Sequence, residues 1–234
     1  MPRTSNPSAV PFSHPDGDFL PPDSGLLIHE RECLDAGVLF VAGIDEAGRG
    51  CCAGPVVAAA VVFTDLGRIP DGVFDSKQLT EPEREAMRAR LLAEPTVRCA
   101  VGEVSAEEID ASDILRATWL AMRKALEGVI PPAQFALVDG NPVQGLPLPS
   151  RSIVQGDAKS ASVAAASILA KTHRDRLMRA AAEQYPGYAF EIHKGYCTKL
   201  HLERLKKYGP CPLHRKTFEP VRSLLSPYVQ DTLL

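Results

Sequence analysis

Apolar residues occur in short runs separated by Gly, Pro and polar clusters, a pattern typical of buried strands joined by turns. The first two runs, residues 38–46 and 54–64, lie on either side of a glycine-rich segment. A third run, residues 97–104, alternates apolar and polar positions as a half-buried strand does. Two shorter runs follow at residues 135–138 and 152–155. We therefore predict five strands.

Helix signals lie between and after these strands. Thr80 with Glu83, and Ser105 with Glu108, have the spacing of capping boxes, in which two side chains satisfy backbone N–H groups at a helix start. The predicted helices are residues 26–36, 81–93, 105–128 with an interruption near Ser112, 158–184, 198–208 and 218–225. Between them, residues 185–187 and 193–196 are predicted to form loops.

Three strands in succession, followed by two that alternate with helices, predict a mixed α/β sheet flanked by helices. We expect the first three strands to be antiparallel neighbours and the last two to be reached by helical crossovers. Residues 1–27 are rich in Pro, Ser, Asp and Gly, which predicts a disordered or loosely attached segment. The predicted organisation is a tail with a short helix (1–37), an α/β core (38–189) and a C-terminal helical segment (190–234).

Composition restricts the function classes. The 234 residues are 45% hydrophobic and 24% charged, which is ordinary for a soluble globular protein. We find neither a membrane-length apolar run nor a signal peptide. None of the six cysteines forms a Cys-x-x-Cys pair, so a zinc site is not expected. We predict reduced thiols and a cytoplasmic protein.

The charge is unevenly distributed along the chain. The net charge is −3, yet residues 171–216 contain 11 Lys or Arg and 4 Asp or Glu, so this segment carries +7 and the remainder −10. A basic C-terminal part beside an acidic body suggests a localised contact with a polyanion. The competing interpretation is a solvated helix face.

Four acidic residues lie where predicted strands end. Asp45 and Glu46 end the first strand, Asp139 follows the fourth, and Asp157 follows the fifth. Strand ends at one edge of an α/β sheet are where ligand sites collect. Clustered carboxylates repel one another unless cations lie among them, and carboxylate oxygens suit Mg²⁺ or Mn²⁺. Two such ions roughly 3.5–4 Å apart would serve phosphodiester hydrolysis.

Each acidic residue also has a structural interpretation. Asp45-Glu46 could be a solvated strand end, and Asp139-Gly140 is a common turn dipeptide. Asp157, before a predicted helix, could be its N-cap. Because neighbouring side chains on a strand point to opposite faces, only one of Asp45 and Glu46 can enter a site directly without a local bend. A Gly-x-Ser-x-Gly motif, a phosphate loop and zinc-type histidine spacing are not present.

The next segment, Gly48-Arg49-Gly50, has a composition suited to a ligand contact. Glycine allows the backbone to approach a ligand closely, and an arginine guanidinium is a planar donor suited to phosphate. The alternative is an ordinary turn.

Several motifs together resemble bacterial ribonuclease HII, in order and over residues 38–222. They are GIDEAGRG at 43–50, AGPVVAAA at 53–60, DSK at 75–77, VDG at 138–140, GDAKS at 156–160, AASILAK at 165–171 with Arg174-Asp175, HKGY at 193–196 and HR at 214–215. The sequence departs from the family at Cys51, Cys52 and Cys197, where small or apolar residues are usual. The sister family, ribonuclease HIII, has an extra N-terminal domain for which the segment before residue 38 is too short.

The resemblance implies a ribonuclease H fold, Mg²⁺ or Mn²⁺ dependence, and cleavage of the RNA strand of RNA–DNA hybrids and of single ribonucleotides in duplex DNA. The cut would fall 5′ of the ribonucleotide and leave 3′-hydroxyl and 5′-phosphate ends. By the same resemblance, the catalytic carboxylates and metal ligands are Asp45, Glu46, Asp139 and Asp157. The implied substrate contacts are Gly48, Arg49, Gly50, Lys77 and Tyr196. Without the resemblance, Tyr196 would be a half-buried packing residue.

Two other functions use the same features: a ribonuclease-H-like DNA nuclease, and a non-catalytic hybrid-binding module. The contacts expected from Gly48, Arg49 and Gly50 at a 2′-hydroxyl argue against a DNA nuclease. The presence of all four carboxylates argues against a non-catalytic module. We expect a monomer without membrane contact. The C-terminal Gln230, Leu233 and Leu234 are similar to peptides that dock on the bacterial sliding clamp; the alternative is a chain end that folds back on the last helix.

Overall fold

The computed structural model describes residues 19–73 and 79–226. Within these ranges the strands form one five-stranded sheet in the order β3-β2-β1-β4-β5. The strands are β1 (Val41–Ala47), β2 (Val56–Phe63), β3 (Val97–Val104), β4 (Phe135–Asp139) and β5 (Ser150–Ile153). The predicted mixed α/β sheet is confirmed.

The α-helices of the described ranges are α1 (Ile28–Asp35), α2 (Glu81–Ala93), α3 (Ala106–Asp110), α4 (Ile114–Glu127), α5 (Ala161–Gln184), α6 (Phe190–His193), α7 (Lys199–Tyr208) and α8 (Val221–Leu225). Both predicted capping boxes are present, at the starts of α2 and α3. The loop predicted at 193–196 was partly wrong, because α6 occupies its first residue. Among the described helices, none has the length and apolarity required to span a bilayer.

Strand pairing places β1 at the centre of the sheet. β1 pairs antiparallel with β2, and β2 pairs antiparallel with β3, as predicted. On its other side β1 pairs parallel with β4, with Ile44 opposite Val138. The C-terminal ends of β1 and β4 therefore meet at the same edge of the sheet, which is where the acidic residues were predicted to collect.

The two parallel connections differ. α3 and α4 form the predicted helical crossover from β3 to β4. The helical crossover predicted before β5 was wrong, because residues 140–149 are a Pro/Gly-rich loop, and such a loop favours turns over helix. β5 also lies two residues earlier than predicted. Val154 is 68% exposed, and Gln155 has a left-handed φ of 57°, so the strand ends before both.

Small residues let α5 pack closely against β1. A Cβ atom on Gly43 would lie 2.0 Å from the carbonyl carbon of Ser162, so only glycine fits at this crossing. The facing side of α5 is lined by fully buried alanines, including Ala164 and Ala165. Close packing fixes α5 over the strand that carries Asp45, which determines what α5 can contribute to the site.

The segment before β1 packs more tightly than its composition predicts. We predicted loose attachment as far as Leu27, but Leu20 and Leu27 are buried in the hydrophobic core. Phe19 also forms a backbone bridge with Pro70. The prediction was wrong for residues 19–27 because these apolar side chains cover the end of the sheet; residues 1–18 lie outside the described ranges.

Candidate active site

Three acidic side chains meet at the edge where β1 and β4 end. Asp45 lies in β1, Asp139 is the last residue of β4, and Asp157 lies in the 3₁₀ turn Gly156–Ala158. One carboxylate oxygen from each lies within 4.8 Å of the other two. We call Asp45, Asp139 and Asp157 the carboxylate cluster. The parallel pairing of β1 and β4 brings the first two together, and the turn after β5 adds the third.

Backbone hydrogen bonds fix two members of the cluster. The Gly156 N–H donates to Asp139 Oδ1 at 2.6 Å, which ties the end of β4 to the turn that carries Asp157. The N-cap of α5 is Ser160, whose hydroxyl accepts from the Val163 N–H at 3.3 Å. The alternative interpretation of Asp157 as the helix cap was therefore wrong.

Glu46 lies beside the cluster and is not one of its three members. Its backbone N–H donates to Asp45 Oδ1 at 2.7 Å. Its side chain lies 3.7 Å from Arg49 Nη1. Both residues belong to β1, where successive side chains alternate between faces, so Asp45 joins the cluster while Glu46 is directed toward Arg49.

The electrostatics of the cluster are unfavourable without cations. Burial raises the pKa of Asp45 well above its usual range, and the charges of Glu46 and Asp139 raise it further, although the Glu46 N–H and the Ser167 hydroxyl oppose the shift. Burial also raises the pKa of Glu46, against the nearby Arg49. These hard oxygen donors, held close with their ionised forms disfavoured, fit divalent cations such as Mg²⁺ or Mn²⁺.

Next to the cluster, residues 48–50 form a turn that we call the glycine–arginine turn. The fully buried Arg215 donates to the carbonyl oxygens of Gly48 at 2.7 Å, Arg49 at 3.0 Å and Gly54 at 3.0 Å. Gly48 has a φ of 89° and leaves no room for a Cβ atom, which would lie 1.9 Å from Arg174 Nε. Gly50 has no such neighbour within 4 Å, so its lack of a side chain leaves open space.

A second buried arginine joins the residues that follow this turn to the loop that carries Tyr196. Arg174 donates to the carbonyl oxygens of Pro55 at 2.9 Å, Lys194 at 2.8 Å and Ala53 at 3.0 Å. We call Arg174 and Arg215 the arginine brace. Burial and the neighbouring Arg174 lower the pKa of Arg215 to about 10, so Arg215 is still a cation at neutral pH.

Tyr196 lies beside the arginine brace and remains accessible. Its side chain is 42% exposed, and the guanidinium carbon of Arg174 lies 5.9 Å from the ring centre. Burial of the rest of the ring raises the pKa of Tyr196, and the neighbouring Cys51 adds to the shift. The predicted glycine–arginine turn and Tyr196 are thus close in space although about 146 residues separate them in the sequence.

Two of the cysteines that depart from the family flank this contact. The structure brings the sulfur atoms of Cys52 and Cys197 into contact, and the Cys52 N–H donates to the Gly195 carbonyl at 3.1 Å. The sequence did not predict this proximity, which results from the folding of the Tyr196 loop onto residues 51–54; the reduced state of the thiols stays a prediction. The free cysteines of the described ranges are Cys33, Cys51, Cys99 and Cys211.

Some predicted residues lie outside the described ranges, and some contributors were not predicted. Lys77 and the C-terminal Gln230, Leu233 and Leu234 belong to the first group. Ser167 and the two arginines of the brace belong to the second. A sequence signal existed for all three, because each lies in a motif that carries the family resemblance: Ser167 in AASILAK, Arg174 just after it, and Arg215 in HR at 214–215.

The chain is similar to known proteins over most of its length. The sequence profile of the ribonuclease HII family matches residues 42–221. Ribonuclease HII of Sinorhizobium fredii is 50% identical over 183 residues, which cover 78% of each chain. The crystal structure of ribonuclease H2 from Pyrococcus horikoshii is 30% identical, with a TM-score of 0.66, over 79% of this chain and 96% of that one. The Archaeoglobus fulgidus ribonuclease HII, solved as a complex with PCNA, is 28% identical with a TM-score of 0.64, over 77% of this chain and 96% of that one.

Proposed function

The chain belongs to the ribonuclease HII family and is a divalent-metal-dependent endoribonuclease of RNA–DNA hybrids, and we propose that Asp45, Glu46, Asp139 and Asp157 are its catalytic carboxylates. The observation that supports this assignment most strongly is the carboxylate cluster, with three oxygens within 4.8 Å of one another at the end of the central strand. The raised pKa of Asp45 supports it as well, because bound cations would stabilise the ionised form that burial and the neighbouring carboxylates disfavour.

In this proposal the carboxylate cluster holds Mg²⁺ or Mn²⁺, two ions when substrate is bound. When bound, such ions supply activation of the attacking water and neutralisation of charge at the leaving oxygen. The protein's own contribution is positioning. Asp139 is fixed by the Gly156 N–H. Glu46 follows Asp45 of the cluster and its carboxylate pairs with Arg49, so Glu46 lies between the metal side of the site and its phosphate side.

The glycine–arginine turn is proposed to bind the phosphate next to the cut and the 2′-hydroxyl. Arg215 orients the turn, since it donates hydrogen bonds to the carbonyl oxygens of Gly48 and Arg49. In a trans peptide the N–H points opposite to the C=O, so the N–H groups of Arg49 and Gly50 face away from Arg215. Successive N–H groups of this kind favour an anion, and the open space at Gly50 admits one.

Tyr196 is proposed to pack against the neighbouring deoxyribose. Its exposed ring stands beside the glycine–arginine turn, where a sugar adjoining the bound phosphate would lie. The turn and the ring together would read one ribonucleotide followed by a deoxyribonucleotide. On this basis we propose cleavage of single ribonucleotides in duplex DNA, 5′ of the ribonucleotide, leaving 3′-hydroxyl and 5′-phosphate ends. From the family resemblance we also propose that Lys77 contacts the substrate.

The remaining duplex is proposed to lie along the basic C-terminal segment, so that residues 190–234 complete the substrate site of the 38–189 core. Lys206 and Lys207 are exposed at the end of α7 and lie within the segment of charge +7. We propose a monomer that works in the cytoplasm. Docking of the C-terminal residues on a sliding clamp remains a proposal from the sequence alone.

One experiment separates this function from its alternatives. Metal-free protein is incubated with Mg²⁺ or Mn²⁺ and three labelled duplexes of one sequence: a hybrid, a DNA duplex with one ribonucleotide, and all DNA. We expect cleavage of the first two, with the second cut 5′ of its ribonucleotide and its new end extendable by a polymerase. Cleavage of the all-DNA duplex would identify a DNA nuclease, and binding without cleavage a binding module.

A further inference from the structure

A buried carboxylate contacts the start of α5 from an element outside the catalytic sheet. Glu30 belongs to α1 and is only 2% exposed. Among the described residues it has no ion-pair partner, and its Oε2 atom has no hydrogen-bond partner. An unpaired buried carboxylate is costly, so its environment must favour it in some other way.

The compensation comes from the start of α5. Glu30 Oε1 accepts from the Ser160 hydroxyl at 2.6 Å, the Ser162 hydroxyl at 2.6 Å and the Ser162 N–H at 3.0 Å. Ser160 is the N-cap of α5, a helix of 24 residues. A negative charge at a helix N-terminus is stabilised by the unpaired N–H groups and by the helix dipole. Glu30 therefore fixes the position of the N-terminus of α5.

The same bonds continue into the carboxylate cluster. The Ser160 N–H donates to the Gly156 carbonyl at 2.9 Å, closing the turn that carries Asp157. The Gly156 N–H in turn donates to Asp139 Oδ1 at 2.6 Å. Hydrogen bonds thus join Glu30, through the turn at 156–160 that contains Asp157, to Asp139.

We infer that Glu30 is a positioning residue for the metal-binding carboxylates: through Ser160 it holds the 156–160 turn, and so places Asp157 and Asp139. It touches neither substrate nor the reacting atoms. The inference rests on the proposed role of the carboxylate cluster. It assigns to α1, which precedes the catalytic sheet, a part in cation binding.

The test measures Mn²⁺ binding directly, by calorimetry on metal-free full-length protein, and compares it with the Mn²⁺ dependence of cleavage. Replacing Glu30 with Gln keeps the shape and removes the charge. We expect about a tenfold increase in the Mn²⁺ dissociation constant and in the Mn²⁺ concentration for half-maximal cleavage, with KM for the duplex unchanged at saturating metal, because partners of ligating carboxylates typically change metal affinity 10–100-fold.

Matched variants separate this role from simple anchoring of α1. Glu32→Gln alters an exposed carboxylate on the same helix, paired with Arg151, and should leave Mn²⁺ binding within about twofold. Ser160→Ala should raise the Mn²⁺ dissociation constant as Glu30→Gln does, and the double variant should show less than the sum of the two effects, because both disrupt the Glu30–Ser160 hydrogen bond. Ser162→Ala should have a smaller effect, since Ser162 lies beyond the turn.

Three results would decide against the inference or its premise. Lower thermal stability of Glu30→Gln with unchanged Mn²⁺ binding would make Glu30 an anchor only. If Glu30→Gln does not fold, a folded Ser160→Ala protein with wild-type Mn²⁺ binding would overturn the inference equally. Wild-type Mn²⁺ binding by Asp157→Asn would instead refute the proposed metal site. Loss of Mn²⁺ binding in Asp157→Asn together with unchanged Mn²⁺ binding in Glu30→Gln would refute only the role of Glu30.

Discussion

The carboxylate cluster and the glycine–arginine turn are joined by the few residues after Asp45, but the protein holds them in opposite ways. In the cluster, like charges are buried together and the pKa of Asp45 is raised, so the ionised arrangement costs free energy. In and around the turn, six hydrogen bonds from Arg174 and Arg215 satisfy backbone carbonyl groups: two in the turn itself, three in residues 53–55 and one at Lys194.

This difference indicates that the carboxylate cluster needs a bound ligand for full stabilisation, whereas the glycine–arginine turn is formed without one. Hydrogen bonds compensate the cluster only in part and leave the rest to bound cations, whereas the carbonyl groups of the turn are already satisfied by Arg215. Substitutions in the cluster should therefore abolish chemistry while sparing or increasing stability. Substitutions in the arginine brace should lower stability first, and activity as a consequence.

The largest effect is expected for Asp139→Asn, which removes one charge from the cluster and keeps its shape. Loss of a metal ligand should cost about 4 kcal/mol of transition-state stabilisation, or about a thousandfold in rate. Cleavage of a duplex with one ribonucleotide, followed by gel electrophoresis, measures it. Asp35→Asn, at the exposed end of α1, is the control. Near-normal cleavage by folded Asp139→Asn would remove Asp139 from the mechanism.

In the brace, Arg215→Met should lower the free energy of unfolding by about 3 kcal/mol, because three buried carbonyl groups lose their donor. Chemical denaturation measures the change, with Lys216→Met as the exposed neighbouring control. Arg215→Lys should recover only part of the loss, since an ammonium group cannot reproduce the guanidinium geometry. A loss below about 0.5 kcal/mol, the range of ordinary surface substitutions, would show that the conformation of the turn does not depend on Arg215.

Arg49 connects the two regions, and Arg49→Ala should separate their effects. Its side chain is 46% exposed, so stability should change by less than about 0.5 kcal/mol. Loss of a charged hydrogen bond to phosphate should lower kcat/KM by about 10- to 100-fold. Steady-state cleavage and thermal unfolding are measured together, with the exposed Arg116→Ala as control. Normal kcat/KM with a collapsed melting temperature would make Arg49 structural.

The cluster should also give the metal-free protein a distinctive pH dependence. The folded pKa values of Asp45 and Glu46 are raised, so their contribution to stability is full below the ordinary carboxyl pKa and is lost as pH rises through the raised values. The melting temperature of Asp139→Asn minus that of wild type, in chelator, should therefore grow as pH rises from about 4. Saturating Mg²⁺ should shrink this difference. A flat difference would mean that the cluster is not strained.

The smallest effect is expected from substitutions on α7, which should change the affinity for duplex and its salt dependence. Changing Lys206 and Lys207 to Gln should make the slope of log affinity against log salt shallower by about 1 to 2, because each phosphate contact releases counterions. Titrations of catalytically inactive Asp139→Asn protein with duplex, over a salt series, measure the slope. The same change at Arg116 and Arg123, exposed on α4, is the control. An identical slope would place both lysines away from the duplex.

Features set by neighbouring residues could be predicted from the sequence. The capping boxes at Thr80 and Ser105 formed as their spacing predicts, because each involves contacts within a single helical turn. The three clustered carboxylates could also be predicted, since each follows an apolar run and parallel strands end at a common edge. β5 was misplaced because Val154 is apolar but exposed, and only the pairing with β4 decides where that strand ends.

Contacts between distant parts of the chain could not be predicted. Arg215 contacts Gly48 from 167 residues away, and Glu30 contacts Ser160 from 130 residues away. A buried arginine or glutamate has the same appearance in a sequence as an exposed one. What distinguishes them is the backbone group that each one satisfies, and this depends on the complete fold.

The central position of β1 has a consequence for motion in the site. β1 is bonded to strands on both sides and covered by α5, so its amide hydrogens can exchange with solvent only when a large part of the sheet opens. Asp45 therefore belongs to the segment whose amides should exchange most slowly. The Arg49 and Gly50 amides, unbonded within the described ranges, should exchange quickly and become protected when a duplex binds. Catalysis would then take place between a slowly exchanging strand and a preformed turn whose free N–H groups gain partners when a duplex binds.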